Sequence, residues 1–215
     1  MSSVTSIKSH VTSVVTMKPI TEEIRVERTQ KPEQSSRYTL SNLFSCCLGV
    51  KKEESSLSHI NELLRDFSSE GEIENCRQLI RDGADCNSTD ECGVTCIHRA
   101  CFSGELEVIS VLIANGSNVN PVAYGFTPLH IACANDHLDI ARKLLENGAD
   151  VNMPSVNGNT PIHFVCKNGY MGIIKLLLAK GADVNIPSLR GDTPIDIADR
   201  FGHKDIVKLL KEVQK

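Results

Sequence analysis

Thr127-Pro128-Leu129-His130-Ile131-Ala132 comes back along the chain at a fixed interval. It returns as Thr160-Pro161-Ile162-His163 and as Thr193-Pro194-Ile195-Asp196-Ile197-Ala198, with a degenerate copy upstream, Thr95-Cys96-Ile97-His98-Arg99-Ala100. The threonines lie 32, 33 and 33 residues apart. A second motif keeps step: Gly83-Ala84-Asp85-Cys86-Asn87, Gly116-Ser117-Asn118-Val119-Asn120, Gly148-Ala149-Asp150-Val151-Asn152 and Gly181-Ala182-Asp183-Val184-Asn185, its glycines 33, 32 and 33 apart. Self-similarity at such a period marks an array of small supersecondary units.

The letters of one unit predict its structure. Thr160 suits a helix N-cap, and Pro161 suits the first helical position, where a missing N–H costs nothing. Ile162, Val165 and Cys166 then face inward, and Gly169 ends the helix in a left-handed conformation. A second helix runs through Ile173, Ile174, Leu176, Leu177 and Leu178. Gly181 ends it, and Ala182-Asp183-Val184-Asn185 leads into an extended hairpin toward Gly191. Such a helix-turn-helix-hairpin cannot bury its apolar flank alone, so neighbouring units must stack.

The pattern resembles the ankyrin repeat, with a period of about 33 and a T-P-L-H-x-A signature. The resemblance implies an all-α repeat solenoid of helix-turn-helix pairs with β-hairpin loops. Five repeats are expected, over about 57–89, 90–121, 122–154, 155–187 and 188–215, together a domain over 57–215. The first is degenerate: Glu62-Leu63-Leu64-Arg65-Asp66-Phe67 stands where Thr-Pro would be. Terminal units depart from the pattern because one side faces water.

Composition agrees. Aromatics are 4% of 215 residues and Trp is absent, which disfavours a β-sandwich or barrel. A net charge of −4 leaves no footprint for nucleic acid. Residues 1–56 hold 17 Ser or Thr and lack a sustained helical or strand period, so a disordered tail is expected there. Nine cysteines without a secretory signal, and apolar runs too short to span a bilayer, point to reduced thiols in the cytoplasm or nucleus.

His98, His130 and His163 share one column of the repeat. Helices pack roughly 8–10 Å apart, too far for neighbouring histidines to share a zinc. The resemblance gives this histidine a hydrogen-bonding role within the repeat, steadying the hairpin. Cys101, Cys133 and Cys166 share another column and read as buried thiols. Cys76, Cys86, Cys92, Cys96 and Cys101 form a denser group over the first two units without a C-x-x-C pair, leaving a zinc or thiol-redox protein as a distant alternative. No phosphate loop, dinucleotide fingerprint, nucleophile elbow or H-E-x-x-H helix occurs. No catalytic residue, metal or cofactor is assigned.

Ankyrin proteins bind partners on the concave side, through hairpin tips and the inner face of first helices. Mapped by motif, the tips supply Tyr124, Phe126, Asn157, Asn159 and Arg190, and the first-helix ends supply Phe102, Asn135, Lys167 and Arg200. Tyr124, Phe126 and Phe102 are the anchor candidates, against a competing role in packing between hairpins. The hairpin before them is one residue short: Asn120 to Gly125 spans five positions where other repeats span six. Asp136 stands at a left-handed glycine position and tolerates it. Asn152 and Asn185 resemble sites of asparaginyl hydroxylation in the family, with turn hydrogen bonding as their default role.

In the tail, Cys46 and Cys47 sit among apolar residues before Lys51-Lys52. They fit reversible palmitoylation and membrane tethering, or an apolar linker with two thiols. The expected protein is a monomeric adaptor or scaffold for another protein. The rival is a stoichiometric inhibitor or regulatory subunit of a partner enzyme or transcription factor.

Overall fold

The structure, a computed structural model, describes residues 53–214, with side chains from residue 57. Helices α1 (Glu53–Glu70) and α2 (Ile73–Arg81) form the first repeat, and α3 (Cys96–Ser103) and α4 (Leu106–Ala114) the second. The third holds α5 (Pro128–Ala134) and α6 (Leu138–Glu146), and the fourth α7 (Pro161–Asn168) and α8 (Met171–Ala179). The fifth holds α9 (Pro194–Arg200) and α10 (Lys204–Val213). Among the described residues these helices are all the regular structure apart from one isolated bridge, Ala123 with Phe126.

The helices stack in two layers. First helices pack on first helices, α1 on α3, α3 on α5, α5 on α7 and α7 on α9. Second helices do likewise from α2 to α8. Each first helix from α3 onward starts after an extended Thr that forms a capping box with the residue three positions on. Gly104 and Gly169 close α3 and α7 in the left-handed conformation, and Asp136 adopts it in repeat 3 with φ of 58°. Leu129, Leu144, Ile162, Ile173, Ile174 and Leu177 are wholly buried between layers. Each such side chain is worth about 1.5–3 kcal/mol of transfer free energy. Ala100, Ala132 and Val165, with Cys101, Cys133 and Cys166, fill the seams between first helices.

The first repeat departs from the rest. Helix α1 has 18 residues, where α3, α5, α7 and α9 have seven or eight. It begins at Glu53, so the tail boundary set by composition falls inside a helix. The remaining tail, with Cys46 and Cys47, lies outside the described residues. No described helix is long and apolar enough to cross a membrane.

The hairpin tips come in two classes. In repeat 4, Ser155 N–H donates to Asn159 O and Gly158 N–H to Ser155 O, a three-residue loop closed by a left-handed glycine. Repeats 2 and 5 have the same bonds. In repeat 3 the missing residue leaves only Tyr124 and Gly125 between Ala123 and Phe126, which exchange both backbone bonds at 3.0 and 2.9 Å. With φ of 52° and 79°, the pair forms a type I′ turn. A single deletion has thus changed the loop class and placed a Tyr where glycine or asparagine is usual.

Candidate functional site

Much of the polar signature joins neighbouring repeats. Thr127 N–H donates to His130 Nδ1 (3.1 Å), and the Thr127 hydroxyl lies 2.8 Å from the same nitrogen. His130 Nε2 lies 3.1 Å from the Asn159 carbonyl oxygen in the next repeat. A carbonyl only accepts, so Nε2 carries the proton and Nδ1 is a bare acceptor. Burial first of all pushes His130 down to about 4, so the ring is neutral near pH 7. His98 bridges likewise to Phe126 O at 3.2 Å, and burial lowers its basicity too. The histidine therefore does more than the expected work within one repeat: it binds its own helix cap to the following hairpin. His163 keeps the Thr160 bonds and burial lowers its basicity too, with the Asp192 backbone opposing in part, but its buried Nε2 lacks a hydrogen-bond partner. In the last repeat Asp196 caps only its own helix, accepting from Thr193 N–H and Oγ1.

The asparagines form a second set of staples. Asn87 Nδ2 donates to Gly116 O and its Oδ1 accepts from Asn118 N–H. Asn120 does the same with Gly148 and Asp150, and Asn152 with Gly181 and Asp183. Asn152 therefore contributes more than a turn: both ends of its amide hold the next repeat. Asn185 reaches repeat 5 by one bond: its Oδ1 accepts from Gln214 Nε2, while its own Nδ2 donates to Asp183.

These bonds and the core leave the hairpin tips and the open side of the first-helix layer free of such staples. Tyr124 is 44% exposed and Leu189 80%, with Val156 also exposed on the tip between them. Val156 N–H donates to Gly125 O and Leu189 N–H to Asn157 O, so the three tips are stitched into one edge. The approach is close enough that a Cβ on Gly158 would lie 2.8 Å from the Leu189 nitrogen. Asn157, Arg190 and Lys167 are exposed, and the Lys167 ammonium sits 5.8 Å from the Phe201 ring centroid. Phe102 is half-buried.

Four predicted residues need correction. Phe126 is 7% exposed and packs edge-on against His130 (6.0 Å) and Phe164 (5.9 Å), so it is a seam residue and no tip anchor. It occupies the position directly before the capping Thr, where Val94 is buried in repeat 2, and that equivalence was the available signal. Asn135 is half-buried and donates to Ile131 O at the end of its own helix. Asn159 is half-buried and lends its carbonyl to His130. Arg200 is exposed but held bidentately by Asp192. The sequence reading also passed over Ile131, Phe164 and Ile197. These residues are half-buried in register on α5, α7 and α9, at the position that Arg99 holds on α3.

The cysteines of the first two repeats are buried apart from Cys92, which is exposed. Burial pushes the Cys76 thiol up to about 11 and Cys96 up to about 12, and it raises Cys86 and Cys101 as well. Such groups stay protonated and are poor nucleophiles or metal ligands. Among the described residues no three His, Cys, Asp or Glu side chains are placed to hold a metal ion.

Comparison with known proteins agrees with this architecture. Over 85 residues the chain is 32% identical to a protein named vapyrin-like from Medicago truncatula. That match covers 40% of this chain but only 18% of the relative, so the chain spans a small part of that protein's length. A family model described as ankyrin repeats (3 copies) matches residues 64–155 and again 152–215. The two matches together take in every repeat, and the chain belongs to the ankyrin-repeat family.

Proposed function

We propose that the chain is an adaptor or scaffold that captures another protein on the tips and first-helix face of repeats 3 to 5. Ankyrin repeats imply a protein-interaction module. One observation carries the finer reading. The motif residues are consumed in joining repeats, whereas Tyr124, Val156, Leu189, Arg190 and Lys167 project from a fixed edge without holding the fold together. A rigid platform with variable, exposed side chains recognises a surface without a large ordering cost. Neutral buried histidines and protonated buried thiols support a non-catalytic protein.

Capture by the full chain tests the reading, with Tyr124→Ala and Leu189→Asp as comparison variants. Loss of the captured protein, with an unchanged circular dichroism spectrum, supports it; equal capture refutes it. The captured partner's own activity, titrated with the chain, separates roles: an adaptor leaves it intact, and an inhibitor abolishes it at one equivalent. A cytoplasmic, monomeric protein tethered through Cys46 and Cys47 belongs to the same proposal. Palmitate labelling that survives Cys46→Ser with Cys47→Ser would refute the tether.

A further inference from the structure

We infer that the partner presents an extended apolar segment bearing carboxylates, laid across repeats 3 to 5; this deepens the adaptor reading and rests on it. Three features of this chain point the same way.

The first is a change of character along one column of the first helices. In repeats 1 and 2 the column holds Asp66 and Arg99, joined at 2.9 Å, with Asp90 3.6 Å from the same guanidinium. These charges satisfy one another. From repeat 3 onward the same position is Ile131, Phe164 and Ile197, half-buried and without polar atoms to satisfy. The N-terminal part of the face is closed by its own ion pairs, and the C-terminal part offers apolar surface.

The second is spacing. The linked tips of repeats 3 to 5 carry Tyr124, Val156 and Leu189 outward. Each tip is two strands wide, so successive tips are about 10 Å apart at a strand spacing of about 4.8 Å. An extended chain of polyproline II type rises about 3.1 Å per residue with three residues per turn, so every third side chain faces the same way and meets the next tip.

The third is charge. Residues 57–121 hold eleven acidic and four basic side chains, whereas residues 122–215, repeats 3 to 5, hold ten acidic and eleven basic. On the face itself, Arg200 is occupied by Asp192, but among the described residues Lys167 and Arg190 have no ion pair. Carboxylates beside an apolar segment complement those two cations. The chain's own tail fits less well: its apolar stretch, Leu43 to Val50, runs into Lys51-Lys52. An anionic bilayer across the same face would meet the acidic first half.

A random twelve-residue peptide library selected on the full-length chain tests this. The expected enriched peptides carry apolar residues at a spacing of three together with Asp or Glu. The best of them, synthesised, binds about tenfold or more weakly to Lys167→Glu with Arg190→Glu, and to Leu189→Asp, while both variants keep the wild-type unfolding midpoint. Basic or neutral peptides blocked by Leu189→Asp would overturn the carboxylate chemistry yet leave the adaptor face standing. Peptides indifferent to every face variant would overturn both. No enrichment, or no enrichment with sedimentation on phosphatidylserine vesicles or self-association in the ultracentrifuge, would overturn the peptide partner.

Discussion

Repeats 1 and 2 and repeats 3 to 5 share a framework and differ in what they offer to solvent. In the first pair, α1 replaces the Thr-Pro start, Arg65 is buried with its Nε unpartnered, and Arg99 is shared by Asp66 and Asp90 on the open face, leaving that cluster one negative charge. In the last three, Thr-Pro caps start every first helix, backbone bonds join the tips, and the open face carries apolar residues with two cations that have no ion pair among the described residues. Equivalent positions can therefore serve cohesion in one half and recognition in the other. The framework letters do not choose between these roles; the variable letters do.

The largest expected contrast is in the core. Leu129→Ala, at a wholly buried site between α5 and its neighbours, should cost about 2–5 kcal/mol in urea unfolding. Leu57→Ala on exposed α1 should stay within about 0.5 kcal/mol. Equal losses would show that α1 is as tightly held as the regular repeats.

Next comes the seam. His130→Ala removes a bridge between two repeats and strands Thr127 N–H, while Asn159 O keeps Ser155 N–H, an expected loss of about 1–3 kcal/mol. Asp196→Ala, which touches only its own cap, should cost less. The same histidine sets a pH dependence. Its folded pKa of about 4 lies below the unfolded value near 6.5, so the unfolded chain binds the proton first. Stability is complete above about pH 6.5 and falls as pH drops toward 4. His130→Gln should flatten that slope in urea midpoints measured from pH 7 to 4.

A smaller contrast lies in the asparagines. Asn120→Ala loses two bonds to the next repeat and should cost about 1 kcal/mol. Asn185→Ala, whose one bond to repeat 5 is an exposed side-chain contact with Gln214, should remain within about 0.5 kcal/mol. Parity between them would mean that the amide bridges add nothing beyond the local turn.

The repeat count, the helix pairs and their left-handed stops were legible because a fixed period exposes each role several times. Asp136 was readable for the same reason: it stands in a glycine column. Sequence was a poorer guide where one repeat differs from its neighbours. The short link before Gly125 announced a changed tip, but not that the remaining pair would form a type I′ turn. Phe126, aromatic and near a tip, reads equally as an anchor or as packing between hairpins; the choice rests on Phe164, 38 positions later, which no local pattern shows. Arg200 looked available until Asp192 was found beside it. Ile131, Phe164 and Ile197 were missed because apolar residues in short helices read as core.

Amide hydrogen exchange on the full chain, with and without its captured partner, tests the division between cohesion and recognition most directly. Added protection is predicted at the tips around residues 122–126, 156–158 and 189–191 and at the ends of α5, α7 and α9. Protection centred instead on the second helices α2, α4, α6 and α8, or confined to repeats 1 and 2, would contradict it.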